Sequence, residues 1–223
     1  VGSEMCIRDR FPLHAWLPTA HPVAPSPASA VLSGIITKGG VIAIIRVTYY
    51  LVGPDFIRGT WAQNTLLTLA IITVFMGSML AYKEKLLKRR LAYSTVSQVS
   101  YVLFGLFLLH PLGFLGALMQ VVFHAVAKNI LFLGAGAIIY KTGKTFVYEL
   151  KGLGKEMPIV MWTFAIASLS LIGIPPTAGF VSKWYLAQGG LQPDFGTLGL
   201  VGVAVLMVSA LLTAGYLLPI VSA

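Results

Sequence analysis

Gln120, His124 and Lys128 fall four residues apart in GALMQVVFHAVAKNILFLGAGA (116–137), so on a helix they share one face and form a polar stripe about three turns long. The rest of the stretch is apolar. Upstream, Ser94, Ser97, Gln98 and Tyr101 follow the i, i+3, i+4, i+7 pattern and make a second stripe. Two such stripes facing each other could hold water. A chain of bases and hydroxyls bridged by water is what proton transfer through a membrane needs, because each donor must pass its proton to an acceptor within hydrogen-bond reach. A buried amine releases its proton more readily than one in water, and a charge moving nearby can then flip its protonation. Simpler readings stand beside this one: a lone helical histidine is more often a packing residue, and a serine and tyrosine stripe can serve as hydrogen-bonding glue between helices. Lys128 on the same face as His124 favours the relay.

Two more lysines, Lys38 and Lys183, lie inside apolar stretches. Lys38 is about ten residues into its stretch, hence roughly 15 Å deep at about 1.5 Å per residue, near the midplane of a bilayer. An amine facing lipid there costs on the order of 3 kcal/mol, so Lys38, Lys128 and Lys183 are expected to point into the bundle or a wet cavity. No acid falls between Glu84 and Glu149 or inside any apolar stretch, so either these amines are partly neutral or their carboxylate partners are expected in missing sequence or in another subunit.

The elements that must position these groups are membrane helices. The 223 residues are 57% hydrophobic and 10% charged, with a mean hydropathy of +0.85, far from the composition of a soluble domain. Apolar stretches of about 20 residues recur, each long enough to cross roughly 30 Å of hydrocarbon as a helix; barrel strands would be shorter and would alternate. Spans are expected at 28–52, 61–82, 91–110, 111–140, 158–191 and 196–218. The fifth is interrupted by GIPPTAG (173–179), where Pro175 and Pro176 remove backbone donors that lipid cannot replace, so the break must face protein or water. FPLHAWLPTAHPVAPSP (11–27), with His14 and His21 expected to cap and shape it, reads as the proline-rich end of a broken helix followed by a loop.

The +9 net charge does not point to nucleic acid, because the basic residues cluster in short loops. KEKLLKRR (83–90) holds five basic residues against one acid, and 141–157 holds Lys141, Lys144, Lys151 and Lys155 against Glu149 and Glu156. An even number of crossings separates the two loops, so both are expected in the cytoplasm of a bacterial or archaeal cell. The single cysteine, Cys6, permits no intramolecular disulfide or metal cluster, and no cofactor is expected. VGSEMCIRDR (1–10), charged and unpatterned, breaks sharply with the FPLHAWLP beside it and reads as adapter-like, non-native sequence, and the chain as a piece of something longer.

FPLHAWLPTAH, the lysine of SGIITKGG, LKRRLAYSTVSQVSY, HAVAKNILFLGAG and GIPPTAGFVSKW, in that order, resemble the antiporter-like membrane subunits shared by respiratory complex I, Mrp-type sodium/proton antiporters and membrane-bound hydrogenases. The resemblance covers residues 11 to about 218 and implies an all-α polytopic protein. It would be part of a fourteen-helix fold with two inverted repeats and discontinuous helices, running from the end of the seventh helix through the thirteenth. By the same resemblance Lys38 matches the central relay of the eighth helix, His124 and Lys128 that of the eleventh, and Lys183 the twelfth-helix lysine toward the exit side. The implied function is proton translocation within a multisubunit membrane complex, with sodium a second candidate cargo. A structural subunit that conducts nothing is the rival reading. The chain carries no quinone, flavin or iron–sulfur motif, and no nucleophile and base on adjacent helices that would suggest a hydrolase.

Overall fold

A computed structural model describes residues 16–150 and 152–221. The expected histidine cap at His14, the segment 1–10 and Lys151 lie outside the described residues. Ten α-helices follow in order among these residues: α1 Trp16–Val23, α2 Ser26–Val52, α3 Pro54–Ile57, α4 Trp61–Lys83, α5 Leu87–Phe107, α6 Pro111–Thr142, α7 Leu153–Glu156, α8 Pro158–Ile172, α9 Ala178–Gly190 and α10 Gly196–Val221. Prolines start several of them, as expected where the first N–H has no helical partner.

Four helices, α2, α4, α6 and α10, are long and apolar enough to cross a membrane. α6 has 32 residues, about 48 Å at 1.5 Å per residue, and so exceeds the roughly 30 Å of hydrocarbon. α8 and α9, with 15 and 13 residues, lie on either side of the proline break, and each is too short to cross by itself.

α5 is the centre of the bundle. Seventeen of its 21 residues are buried, in a helix whose sequence carries Ser94, Thr95, Ser97, Gln98 and Ser100. A helix this polar holds its place only because α1, α4, α6 and α10 surround it and replace lipid on nearly every side. α2 departs from regular α-helix in two wide π-helical turns, Leu32–Ile36 and Arg46–Val52.

The core splits into two apolar clusters. One, around Leu87, Leu91, Leu131, Phe132, Phe164 and Leu217, lies toward the basic loops; the other gathers Leu67, Val74, Tyr101 to Leu108, Leu186 and Leu206 toward the opposite end. Along α6, Ala127 belongs to the first and Ala117 to the second, so His124 falls in the band between them. The two basic loops meet at one end. Leu86 pairs with Phe146 in an isolated antiparallel bridge, Leu87 N–H donates to Thr145 O at 3.0 Å, and Val147 N–H donates to Lys85 O at 3.0 Å. At the other end Arg58 donates to Leu109 O (2.7 Å) and Gln63 to Phe107 O (3.0 Å), binding the α3–α4 loop to the end of α5.

The N-terminal segment differs from the sequence expectation at His21. It does not shape a loop: it sits in α1, buried, with its ring stacked on Phe132 at 4.7 Å between centroids. Pro22 is accommodated inside the same short helix, whose end at Val23 precedes Pro25, the N-cap residue of α2.

Candidate proton-relay site

The break between α8 and α9 builds the seat of Lys183. In an unbroken helix the carbonyls of Leu171 and Ile172 would accept from residues 175 and 176, and both are prolines with no N–H to give. Lys183 takes their place: its Nζ donates to Leu171 O and to Ile172 O, each at 2.7 Å. The amine thus caps the negative end of α8. Its side chain reaches there past Gly173, which ends α8 in the left-handed conformation (φ 86°); a Cβ at that glycine would meet Lys183 Cδ at 2.9 Å. On the other side the amine sits 5.3 Å from the centre of the Tyr101 ring.

Lys128 comes from the middle of α6 and is fully buried (0% exposed). Its Nζ donates to Leu91 O at 2.8 Å and to Ser94 Oγ, and lies 5.9 Å from the centre of the Phe132 ring, the ring on which His21 stacks. Lys38, 6% exposed, follows the first wide turn of α2 and donates to Ser33 O at 2.5 Å; Ser33 Oγ in turn pairs with Thr95 Oγ1 at 2.7 Å and holds α2 against α5.

His124 lies one helical turn before Lys128 on α6. It is 2% exposed, neither of its ring nitrogens has a hydrogen-bond partner among the described residues, and it shares a small cavity with Leu171, whose carbonyl accepts from Lys183. Beside it a cavity of about 10 Å³, the size that admits a single water, is lined by Gln120, Ser170, Leu171 and Gly179. An imidazole can accept a proton on one nitrogen while donating from the other, so His124 can both take up and release a proton at this position.

The polar stripes meet, with one difference from the expected pattern. Gln120 Nε2 donates to Gln98 Oε1 at 2.7 Å and Lys128 donates to Ser94, so α6 does face α5 through these pairs. Ser182 Oγ of α9 donates to Gln120 Oε1 at 2.5 Å and extends the network to the broken helix. Ser97 and Tyr101 turn elsewhere: Ser97 Oγ pairs with Ser78 Oγ (2.8 Å) and Ser209 Oγ (3.3 Å), and Tyr101 OH donates to Leu206 O at 2.8 Å. The α5 stripe therefore forks, Ser94 and Gln98 toward α6, Ser97 and Tyr101 toward α4 and α10.

That fork brings in residues that sequence reasoning misses. Ser209, Thr213 and Tyr216 of α10 are all buried and lie four and three residues apart on one face, where Ser209 meets the hydroxyls of Ser78 on α4 and Ser97 on α5. Their spacing is a usable signal, but α10 carries no charge to draw attention to it.

Comparison with known proteins agrees with this architecture. Residues 8–213 match the family described as NADH:quinone oxidoreductase/Mrp antiporter, TM. NADH-quinone oxidoreductase subunit N of Desulforudis audaxviator (strain MP104C) is 40% identical over 222 residues, covering 97% of this chain and 42% of that protein. Hydrogenase-4 component B of Escherichia coli (strain K12) is 41% identical over 192 residues, covering 80% of this chain and 28% of that protein. A chain in the structure of the Mrp complex from Dietzia sp. DQ12-45-1b superposes with a TM-score of 0.84 at 30% identity, over 95% of this chain and 39% of the other. The chain thus spans less than half the length of these relatives. With the broken helix, the polar centre and the family match in agreement, this chain belongs to the membrane family of NADH:quinone oxidoreductase and Mrp antiporter subunits.

Proposed function

We propose that this chain forms part of a proton-translocating antiporter-like subunit, in which Lys38, His124, Lys128 and Lys183 pass protons through the membrane interior. The observation that carries the reading is a buried imidazole, His124, with no hydrogen-bond partner of its own among the described residues, one helical turn from the fully buried Lys128 and lining one cavity with Leu171, whose carbonyl seats Lys183. Charged groups are costly in hydrocarbon, and purely structural polar contacts between helices are served by hydroxyls and amides; amines held near an imidazole suit proton exchange. Gln120, Gln98, Ser94 and Ser182 line and orient the path. Ser97 and Tyr101 brace it from behind, and Pro175 and Pro176 open the carbonyls that seat Lys183.

In this reading the loops 83–90 and 141–157 lie on the cytoplasmic side, as their positive charge favours. Translocation is driven electrostatically by redox chemistry or ion exchange in partner subunits, with complex I and an Mrp-type antiporter as the two settings. Dehydrogenase and iron–sulfur genes beside the reading frame indicate the first, and small hydrophobic antiporter genes the second. The test replaces Lys128 or Lys183 by alanine in the full-length subunit within its complex and measures proton transport in membrane vesicles. The relay predicts a large loss with the complex still assembled. Unchanged transport would favour the rival structural subunit.

A further inference from the structure

We propose that the pocket beside the 83–90 loop is a seat for one anionic phospholipid of the leaflet at that end, with its phosphate on Lys85 and Arg90 and an acyl chain along α10. The seat does not depend on the relay, since a subunit that conducts nothing would hold the same lipid.

The pocket, about 510 Å³, opens at the end of the bundle that carries both basic loops. Lys85 and Arg90 supply its charge, and no acid is among the described residues that line it. The acids nearest in the chain are engaged elsewhere. Glu84 Oε1 accepts from the backbone N–H of Lys85 (3.1 Å) and of Leu86 (3.3 Å), and its Oε2 lies 3.3 Å from Arg89 Nε. Glu149 Oε2 accepts from Phe146 N–H at 3.2 Å. Neither cation of the pocket has a carboxylate partner among the described residues.

Arg90 is fixed in place with donors to spare. Its Nε and Nη2 donate to Glu84 O at 2.9 and 2.6 Å and its Nη1 to Tyr216 O at 2.9 Å, three of the five N–H groups a guanidinium carries. The remaining two can donate to phosphate oxygens from a head whose position is set beforehand. Lys85 is exposed, and its amine makes no hydrogen bond or ion pair with any described residue, so it is available to the same phosphate.

The position in the bundle selects a lipid over a soluble anion. The pocket lies where α4 and α10, both long enough to cross a membrane, approach their ends: Tyr82 is the last residue but one of α4, and Gly215 and Pro219 fall in the closing turns of α10. Tyr82 and Tyr148 line it with rings that are 52% and 62% exposed, as tyrosine does at a headgroup boundary. From there an apolar strip leads toward the midplane. Leu211 (74% exposed) and Leu218 (41%) flank Gly215 at four and three residues and share its face of α10, and Met207 continues the strip one turn deeper. Gly215 keeps the strip low, since a Cβ there would stand 3.2 Å from the Tyr82 ring. A diacyl phosphate ester matches this order of surfaces, charge at the water boundary and hydrocarbon below it; a soluble phosphate would use only the first.

The test places p-benzoylphenylalanine at Leu211 in the full-length subunit and puts the assembled complex into nanodiscs of phosphatidylcholine with a minor share of phosphatidylglycerol. After illumination, mass spectrometry of the chain reads which lipid is attached. Phosphatidylglycerol adducts are expected in clear excess over its share of the nanodisc lipid. A basic residue near a membrane surface contributes about fivefold in affinity for anionic lipid, so Lys85→Gln should cut that excess by about this factor. Lys155→Gln, the same charge change on α7 outside the pocket, should leave it as it is. Gly215→Leu keeps every charge, fills the groove and should also cut it, with the amount of assembled complex unchanged. An excess of glycerol phosphate, the headgroup without chains, should leave the adducts intact. Adducts in proportion to the bulk lipid overturn the proposal, as does an equal excess in Lys85→Gln and Lys155→Gln. Undiminished labelling in Gly215→Leu overturns the acyl contact and with it the seat. Full displacement by glycerol phosphate makes the pocket a site for soluble phosphate esters and overturns the lipid.

Discussion

Replacing Gly173 by alanine perturbs Lys183 without touching it. The glycine holds φ at 86°, where an L side chain costs about 1–2 kcal/mol, and its added Cβ would stand 2.9 Å from Lys183 Cδ. The amine must then retreat from Leu171 O and Ile172 O. A hydrogen bond from a charged donor contributes about 1.5–3 kcal/mol, so returning Nζ to its seat during each transfer would cost about that much per bond lost. At about 1.4 kcal/mol per factor of ten, transport should fall about ten- to a hundredfold for each bond lost. Gly143 supplies the control. It ends α6 in the same left-handed region (φ 71°), yet a Cβ there meets nothing within 4 Å. Gly143→Ala therefore shares the backbone cost and lacks the collision. Proton uptake by inverted vesicles, measured with a quenched acridine dye at equal complex content, reads the difference. Equal transport by the two variants would refute the claim that the seat of Lys183 matters.

Other substitutions probe other contacts. Gly77 packs on the backbone of α5, where a Cβ would come within 2.9 Å of Ser97 N, so Gly77→Leu should lower the stability of the complex by about 1–3 kcal/mol or more, seen as a reduced Tm or failed assembly on native gels. Gln120→Leu leaves the Gln98 amide and the Ser182 hydroxyl without their shared partner in the core; a loss of about 1–3 kcal/mol in stability is expected, and a complex that melts at the wild-type temperature would contradict the network. Gln63→Leu removes the donor to Phe107 O and Leu108 O, and hydrogen exchange at the end of α5 should quicken relative to the helix centre.

The stripe on α6 is plain in the sequence, because charges in an apolar run are rare and helical periodicity puts Gln120, His124 and Lys128 on one face. Four of the expected spans, now α2, α4, α6 and α10, are legible from their length and apolarity, and the proline pair locates the break between α8 and α9. What periodicity cannot supply is direction. Ser94, Ser97, Gln98 and Tyr101 share a broad face, but which neighbour each meets depends on how α4, α6 and α10 surround α5, and that is decided by packing far apart in the chain. The match between Pro175, Pro176 and the two carbonyls capped by Lys183 obeys helix arithmetic, yet only once the amine is known to fold back on α8. His21 escapes a local reading because five prolines in 11–27 hide a short helix whose buried face is supplied by Phe132 of α6.

The enclosure of α5 has a consequence for how the protein is made. A newly synthesised segment with five serine, threonine or glutamine side chains near its middle and Lys88, Arg89 and Arg90 at its start would gain little from partitioning alone into acyl chains. Its residence in the bilayer must be secured by α4, already delivered, and by α6, which comes after a connection of three residues, 108–110. Biogenesis of this region is therefore concerted: the translocation machinery has to release these helices as a group, and a lesion that delays α6 would strand α5 before it had anywhere to dock.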